Sequence, residues 1–150
     1  MLIKELEEYE VIYMARTYNL FISHSWAYSD AYAKLIKLLN GDSDFLYKNY
    51  SVPKDDPIHN AKTEKALYGA IKSQMSYASI VLILAGVYST YSKWINHEIK
   101  IAQSEFTTSK PIIAIEPWGS EKTSVVVKNA ADMVVKWQTK SIVDAIKSLC

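Results

Sequence analysis

The sequence predicts an α/β fold: a single domain with a five-stranded, mainly parallel sheet, helices on both of its faces and an extra helix at the N-terminus. Three observations carry this. From residue 18 onward, short apolar runs alternate with segments of helical periodicity, the pattern of parallel strands joined by crossover helices. Two of the runs, "SIVLILAG" (79–86) and "KPIIAIEPW" (110–118), are apolar at successive positions, as central strands covered on both faces are. The 150 residues, 49% of them hydrophobic, fit one domain with a real core.

Each element has its own warrant. "LIKELEEYEVIYMAR" (2–16) has a helical pattern and precedes the main fold, so residues 1–16 form an extension and 17–150 the domain. "YNLFIS" (18–23) is an apolar run ending in small polar residues, the first strand. "SDAYAKLIKLLNG" (29–41) is a helix with Ser29 as candidate N-cap and Asn40-Gly41 as its stop. "FLYKNYSV" (45–52) reads as a strand with partial alternation, and "PKDDPIHNAK" (53–62) as a polar loop with two prolines. In the helix at 63–78, Ala66, Leu67, Ala70, Ile71 and Met75 fall on one side. Helix 91–106 separates strands 79–86 and 110–118. "KTSVVVKNAA" (122–131) is ambiguous and compatible with a short helix. "DMVVKW" (132–137) is a short strand and "KSIVDAIKSLC" (140–150) the closing helix.

Several functions are disfavoured by composition and motif. A net charge of +1, from 17 basic and 16 acidic residues, lacks the basic excess of a nucleic-acid binder. The single cysteine, Cys150, permits neither an intramolecular disulfide nor a cysteine-based metal site. The apolar run 80–87 is far short of the ~20 residues of a membrane span. The acidic start "MLIKELEEYE" lacks the apolar core of a signal peptide. Together these give the expectation of a cytoplasmic protein without a membrane or nucleic-acid partner. Neither a G-x-G-x-x-G nor a G-x-x-x-x-G-K-[ST] stretch is present, and the four glycines are scattered at 41, 69, 86 and 119. His24, His59 and His97 show no metal-ligand spacing, so no metal is expected. "SHS" at 23–25 lacks the G-x-S-x-G elbow of a serine nucleophile.

Helix 91–106 holds the acid that calls for explanation. Ile95, Ile99, Ala102 and Phe106 make a core stripe. Trp94, Glu98, Ile101 and Glu105 make a second row, rotated from the first by the 3.6-residue period. Glu98 thus falls at the edge of the buried face, one turn after a Trp. By geometry alone it is either a solvated helix carboxylate, as most are, or an acid held in a cleft. In a parallel sheet of this kind ligands bind beyond the carboxyl ends of the strands, where strand order reverses. That directs attention to 23–29, 53–62 and 86–93.

Two motifs bear on the choice. "YNLFISHSW", followed by Ser29-Asp30, resembles the opening of TIR domains, approximately (Y/F)-D-(V/I)-F-(I/L)-S-(Y/H). Tyr18, Phe21, Ile22, Ser23 and His24 match, and Asn19 stands where Asp is usual. "SKWINHE" (92–98) resembles the TIR signature S-x-W-C-x-x-E. Ser92, Trp94 and Glu98 match, and Ile95 replaces the usual Cys. The 51–62 segment occupies the place of the family's BB loop. In element order the resemblance spans about residues 17–148, and the chain is similar above all to the TIR component of bacterial Thoeris antiphage defence.

The resemblance implies a single flavodoxin-like, TIR-like domain. It also implies an activity: cleavage of the nicotinamide–ribose bond of NAD⁺, used as substrate with no separate cofactor, to give an ADP-ribose signal, cyclic in form, that activates a separate effector protein. Glu98 then takes the catalytic place. Ser23, His24 and Ser25, at the end of the first strand, and Trp94 and Tyr91 take substrate-binding places. Trp26 and Tyr28 stand near the same mouth, Asp30 reads as a first-turn acid, and Lys54, Asp55 and Asp56 read as loop residues. Glu105 shares the row of Glu98 but lies outside the motif and reads as solvated. Self-association is expected from the family. Two alternatives stand beside this one: a non-catalytic TIR-like adaptor, which does not need Glu98, and a nucleoside transferase of the same fold, which leaves NAD⁺ untouched.

Overall fold

The computed structural model describes residues 16–23, 31–51, 64–86, 93–116 and 124–150. Five strands, β1 (Thr17–Ile22), β2 (Leu46–Asn49), β3 (Ile80–Leu84), β4 (Ile112–Ile115) and β5 (Met133–Val135), form one sheet. Its order is β2-β1-β3-β4-β5 and every pairing is parallel, so "mainly parallel" becomes wholly parallel among the described residues. Five helices are described: α1 (Ala31–Leu39), α2 (Glu64–Ser76), α3 (Lys93–Ser104), α4 (Val125–Ala130) and α5 (Thr139–Leu149). The predicted N-terminal helix and the Ser29 cap lie outside the described residues.

The period-2 geometry of the strands divides the core in two. Leu20 and Ile22 of β1, Ile80 and Leu82 of β3, and Ile113 and Ile115 of β4 pack with Leu35 and Leu39 of α1 and with Ile142 and Ile146 of α5. The alternate residues, Phe21, Val81, Ile83, Ile112 and Ala114, pack with Leu67, Ile71 and Met75 of α2, with Ile95, Ile99 and Ala102 of α3, and with Val127 of α4. Right-handed crossovers produce this split. The chain moves one way from β1 to β2, placing α1 on one face. It then moves the other way through β3, β4 and β5, placing α2, α3 and α4 on the opposite face.

Local chemistry sets the ends. α1 stops where predicted: Asn40 and Gly41 donate backbone N–H to Ile36 and Leu38. The ambiguous 122–131 segment contains α4, whose N-cap Ser124 accepts from the N–H of Val127. α2 exposes Ala66, so its buried stripe is narrower than the apolar pattern suggested and consists of Leu67, Ile71 and Met75. Lys110 closes the far end of α2, donating Nζ–H to Ala78 O at 2.8 Å and to Ser76 O at 3.4 Å.

Candidate functional site

The switch point of this sheet lies between β1 and β3, because β1 connects outward to β2 while the chain returns past it to β3. Ser23 is the residue after β1. Its backbone N–H donates to Leu82 O at 2.9 Å, so pairing with β3 continues one residue past β1. By strand alternation its side chain points with Phe21, toward the face that carries α3. There Ser23 Oγ donates to Oε2 of Glu98 at 2.5 Å. Both residues are buried: Ser23 is 2% exposed and Glu98 0%.

That burial corrects the placement of Glu98 at the edge of the apolar face. Ile95, Glu98, Ile99, Ile101 and Ala102 are all buried, an arc of about 160° at 100° per residue. Periodicity had located the centre of the stripe correctly, since Ile95 and Ala102 are fully enclosed and Phe106 is partly so. The arc is wider because α3 is the middle helix of its layer. α2 flanks it on one side through the Tyr68–Glu105 hydrogen bond. α4 flanks it on the other, where Gln103 Nε2 donates to Ala130 O at 3.4 Å. Neighbours on both sides bring Glu98 and Ile101 of the second row into the core as well, and leave Trp94 and Glu105 at its margin. Ile95, where the TIR signature has Cys, is one of the fully buried residues of this core, so the departure is a change of packing.

Trp94, in the first turn of α3, is partly buried against the same core. Its ring centroid lies 5.5 Å from that of His97, with the planes at 50°. His97 turns away from Glu98, as the helical period requires, and meets the ring of Tyr68 on α2 edge-on, at 5.6 Å and 87°. The Tyr68 hydroxyl donates to Glu105 Oε1 at 2.7 Å, and Lys72 Nζ sits 3.1 Å from Glu105 Oε2. The bond from Tyr68, then that from Lys72, holds the Glu105 carboxyl below the ordinary carboxylate range. The same bond, with burial, raises the Tyr68 phenol. Glu105, expected to be solvated, is 29% exposed and tied at both oxygens. The sequence held one sign of this: Tyr68 and Lys72 are four apart on α2 and so share a face.

Of the predicted site residues, the structure therefore joins Ser23 to Glu98 and sets Trp94 one turn away on the same helix. His24, Ser25 and Tyr91, and likewise Trp26, Tyr28, Asp30, Lys54, Asp55 and Asp56, lie outside the described residues. Among the described residues no group of three His, Cys, Asp or Glu side chains is placed to hold a metal ion. None of the described helices is long and apolar enough to cross a membrane. The chemistry on offer is that of a carboxyl group enclosed at the carboxyl edge of the sheet and oriented by a hydroxyl from the neighbouring element.

A search of curated proteins gives no match to the chain. A family model described as "Thoeris protein ThsB, TIR-like domain" matches residues 21–122, which contain the end of β1 and all of α1, β2, α2, β3, α3 and β4, together with Ser23, Trp94 and Glu98. The chain belongs to this Thoeris TIR-like family of antiphage defence.

Proposed function

We propose that this protein consumes NAD⁺, breaking the nicotinamide–ribose bond and producing an ADP-ribose signal, cyclic in form, that activates a separate effector. The observation that carries the reading is Glu98, fully buried and bonded to Ser23 at the switch point. Enclosing a carboxyl group opposes folding. An apolar side chain would fill the same row of α3, as Ile101 does one turn later. Packing alone gives no reason for an acid at this position; chemistry does.

Nicotinamide leaves with the electron pair of the C1′–N bond and departs neutral, so positive charge develops on the ribose as in glycoside cleavage. A carboxylate held beside the ribose stabilises that charge and accepts hydrogen bonds from its hydroxyls. The attraction is stronger in an enclosed site than in water. Trp94 supplies an aromatic wall for the nicotinamide or the ribose. Capture of C1′ by an adenine nitrogen or a ribose hydroxyl of the same molecule gives the cyclic product, and capture by water gives linear ADP-ribose. Cyclisation requires water to be excluded, a role for Trp94 and Tyr91. His24 and Ser25 are assigned to substrate binding by their place in the sequence next to Ser23, at the end of the first strand.

The test is incubation of purified protein with NAD⁺, with and without infected-cell extract, followed by mass analysis for nicotinamide and ADP-ribose isomers. Glu98→Gln keeps the shape and an acceptor for Ser23 while removing the charge. It is expected to lower nicotinamide release at least ~100-fold with folding intact. Release near the wild-type rate from the folded variant rules out the assignment of Glu98.

A further inference from the structure

We propose that His97 is a positioning residue that fixes the indole of Trp94, and thereby sets how tightly the site holds the flat base of its substrate. This rests on the reading of Trp94 as a substrate wall.

Trp94 lies in the first turn of α3, and its ring direction depends on two side-chain torsions. Contacts with neighbours select among the rotamers. His97 is three residues on, within reach on the helix surface, and its ring meets the indole at 5.5 Å and 50°. His97 is in turn held from α2. Tyr68 meets it at 87°, the edge-to-face arrangement that aromatic quadrupoles favour. Tyr68 is itself tied by its hydroxyl to Glu105, and Glu105 to Lys72. Three rings and one ion pair therefore run from the outer surface of α2 and α3 to the residue one turn before Glu98. His97 is the joint of this chain, touching Trp94 on one helix and Tyr68 on the other. It does not face Glu98, so its effect on the reaction passes through Trp94.

The consequence is a separation of binding from chemistry. Loosening the indole weakens the grip on the base in the ground state and the transition state alike. That raises KM and leaves kcat nearly unchanged. His97→Ala is expected to raise KM for NAD⁺ about three- to tenfold, the range of one lost aromatic pair, with kcat within about twofold. His97→Phe keeps a ring and restores KM. Labelling with 5-fluorotryptophan gives signals from four tryptophans, and that of Trp94 is identified by its loss in Trp94→Phe. Its ¹⁹F resonance is expected to shift or broaden in His97→Ala and to return in His97→Phe. Should His97→Ala not fold, Tyr68→Phe takes its place: it keeps the ring, removes the tie to Glu105 and moves KM and the resonance in the same direction by less. An unchanged Trp94 resonance and KM overturn the proposal, as does a fall in kcat at constant KM. If the wild type releases no nicotinamide, the NAD⁺ reading fails, and the resonance still decides whether His97 sets the indole.

Discussion

Ser23 and Glu98 lie 75 positions apart in the chain and meet through one hydrogen bond. The hydroxyl of Ser23 has a single proton and gives it to Oε2, so toward any other group Ser23 acts as an acceptor. Beside the substrate-binding place expected for it, this bond gives Ser23 a hold on the Glu98 carboxyl. Ser23→Ala removes the donor from an enclosed carboxyl oxygen and is expected to lower unfolding free energy by about 1–3 kcal/mol, read by equilibrium denaturation. A change inside about 0.5 kcal/mol, the level of an ordinary surface substitution, excludes that hold. The identity of Glu98 as the residue of interest was legible in "SKWINHE", but its depth was not. A helical period gives the direction of a side chain, whereas enclosure depends on what packs to either side. Here α3 lies between α2, whose Tyr68 bonds Glu105, and α4, whose Ala130 accepts from Gln103, a placement set by the order of the strands and not by the period of α3.

At the scale of elements, the strands easiest to read were 79–86 and 110–118. Burial on both faces demands apolar residues at every position, and four of the five residues of β3 and all four of β4 are buried. β2 was harder, because as an edge strand it is largely exposed. α4 was ambiguous because three successive valines favour strand, and what makes it a helix is the Ser124 cap and the burial of Val127. Two glycines test the helices from opposite directions. A Cβ on Gly69, inside α2, meets nothing within 4 Å. Gly69→Ala is expected to stabilise by about 0.5–1 kcal/mol through lost backbone freedom in the unfolded chain. A Cβ on Gly41 stands 3.0 Å from Leu38 O and 3.0 Å from Thr139 Oγ1. Those two atoms already bond each other at 2.7 Å where α1 ends against the start of α5. Gly41→Ala is expected to destabilise by about 1–3 kcal/mol as that junction gives way. Thermal unfolding of the two variants checks both signs, and equal shifts contradict the account.

For the molecule as a whole, the sheet acts as a partition. α3, which carries Trp94 and Glu98, packs on one face with α2 and α4, while α1 and α5 pack on the other. Ile95 and Ile146 are both fully buried isoleucines, one in each core. Ile95 adjoins Trp94 and lies three residues before Glu98. Ile146 lies on α5 near the amino end of the strands, where Ser148 meets Met133, the first residue of β5. The site is at the opposite, carboxyl end. Truncation of either to alanine is expected to lower stability by a comparable amount, about 2–5 kcal/mol. Their effects on turnover should differ. A cavity under α3 lets Glu98 shift, and a misplacement near 1 Å is enough to reduce a rate by up to about 100-fold. A cavity under α5 leaves α3 and the end of β1 supported by their own core. Activity is measured below the unfolding transition of the weaker variant and expressed per folded molecule. Ile95→Ala is then expected to lose kcat while Ile146→Ala keeps it. Equal loss in both contradicts the partition, because strain made on the far face would then be reaching the acid through the sheet. Equal retention also contradicts it, because Glu98 would then keep its place without the packing of α3.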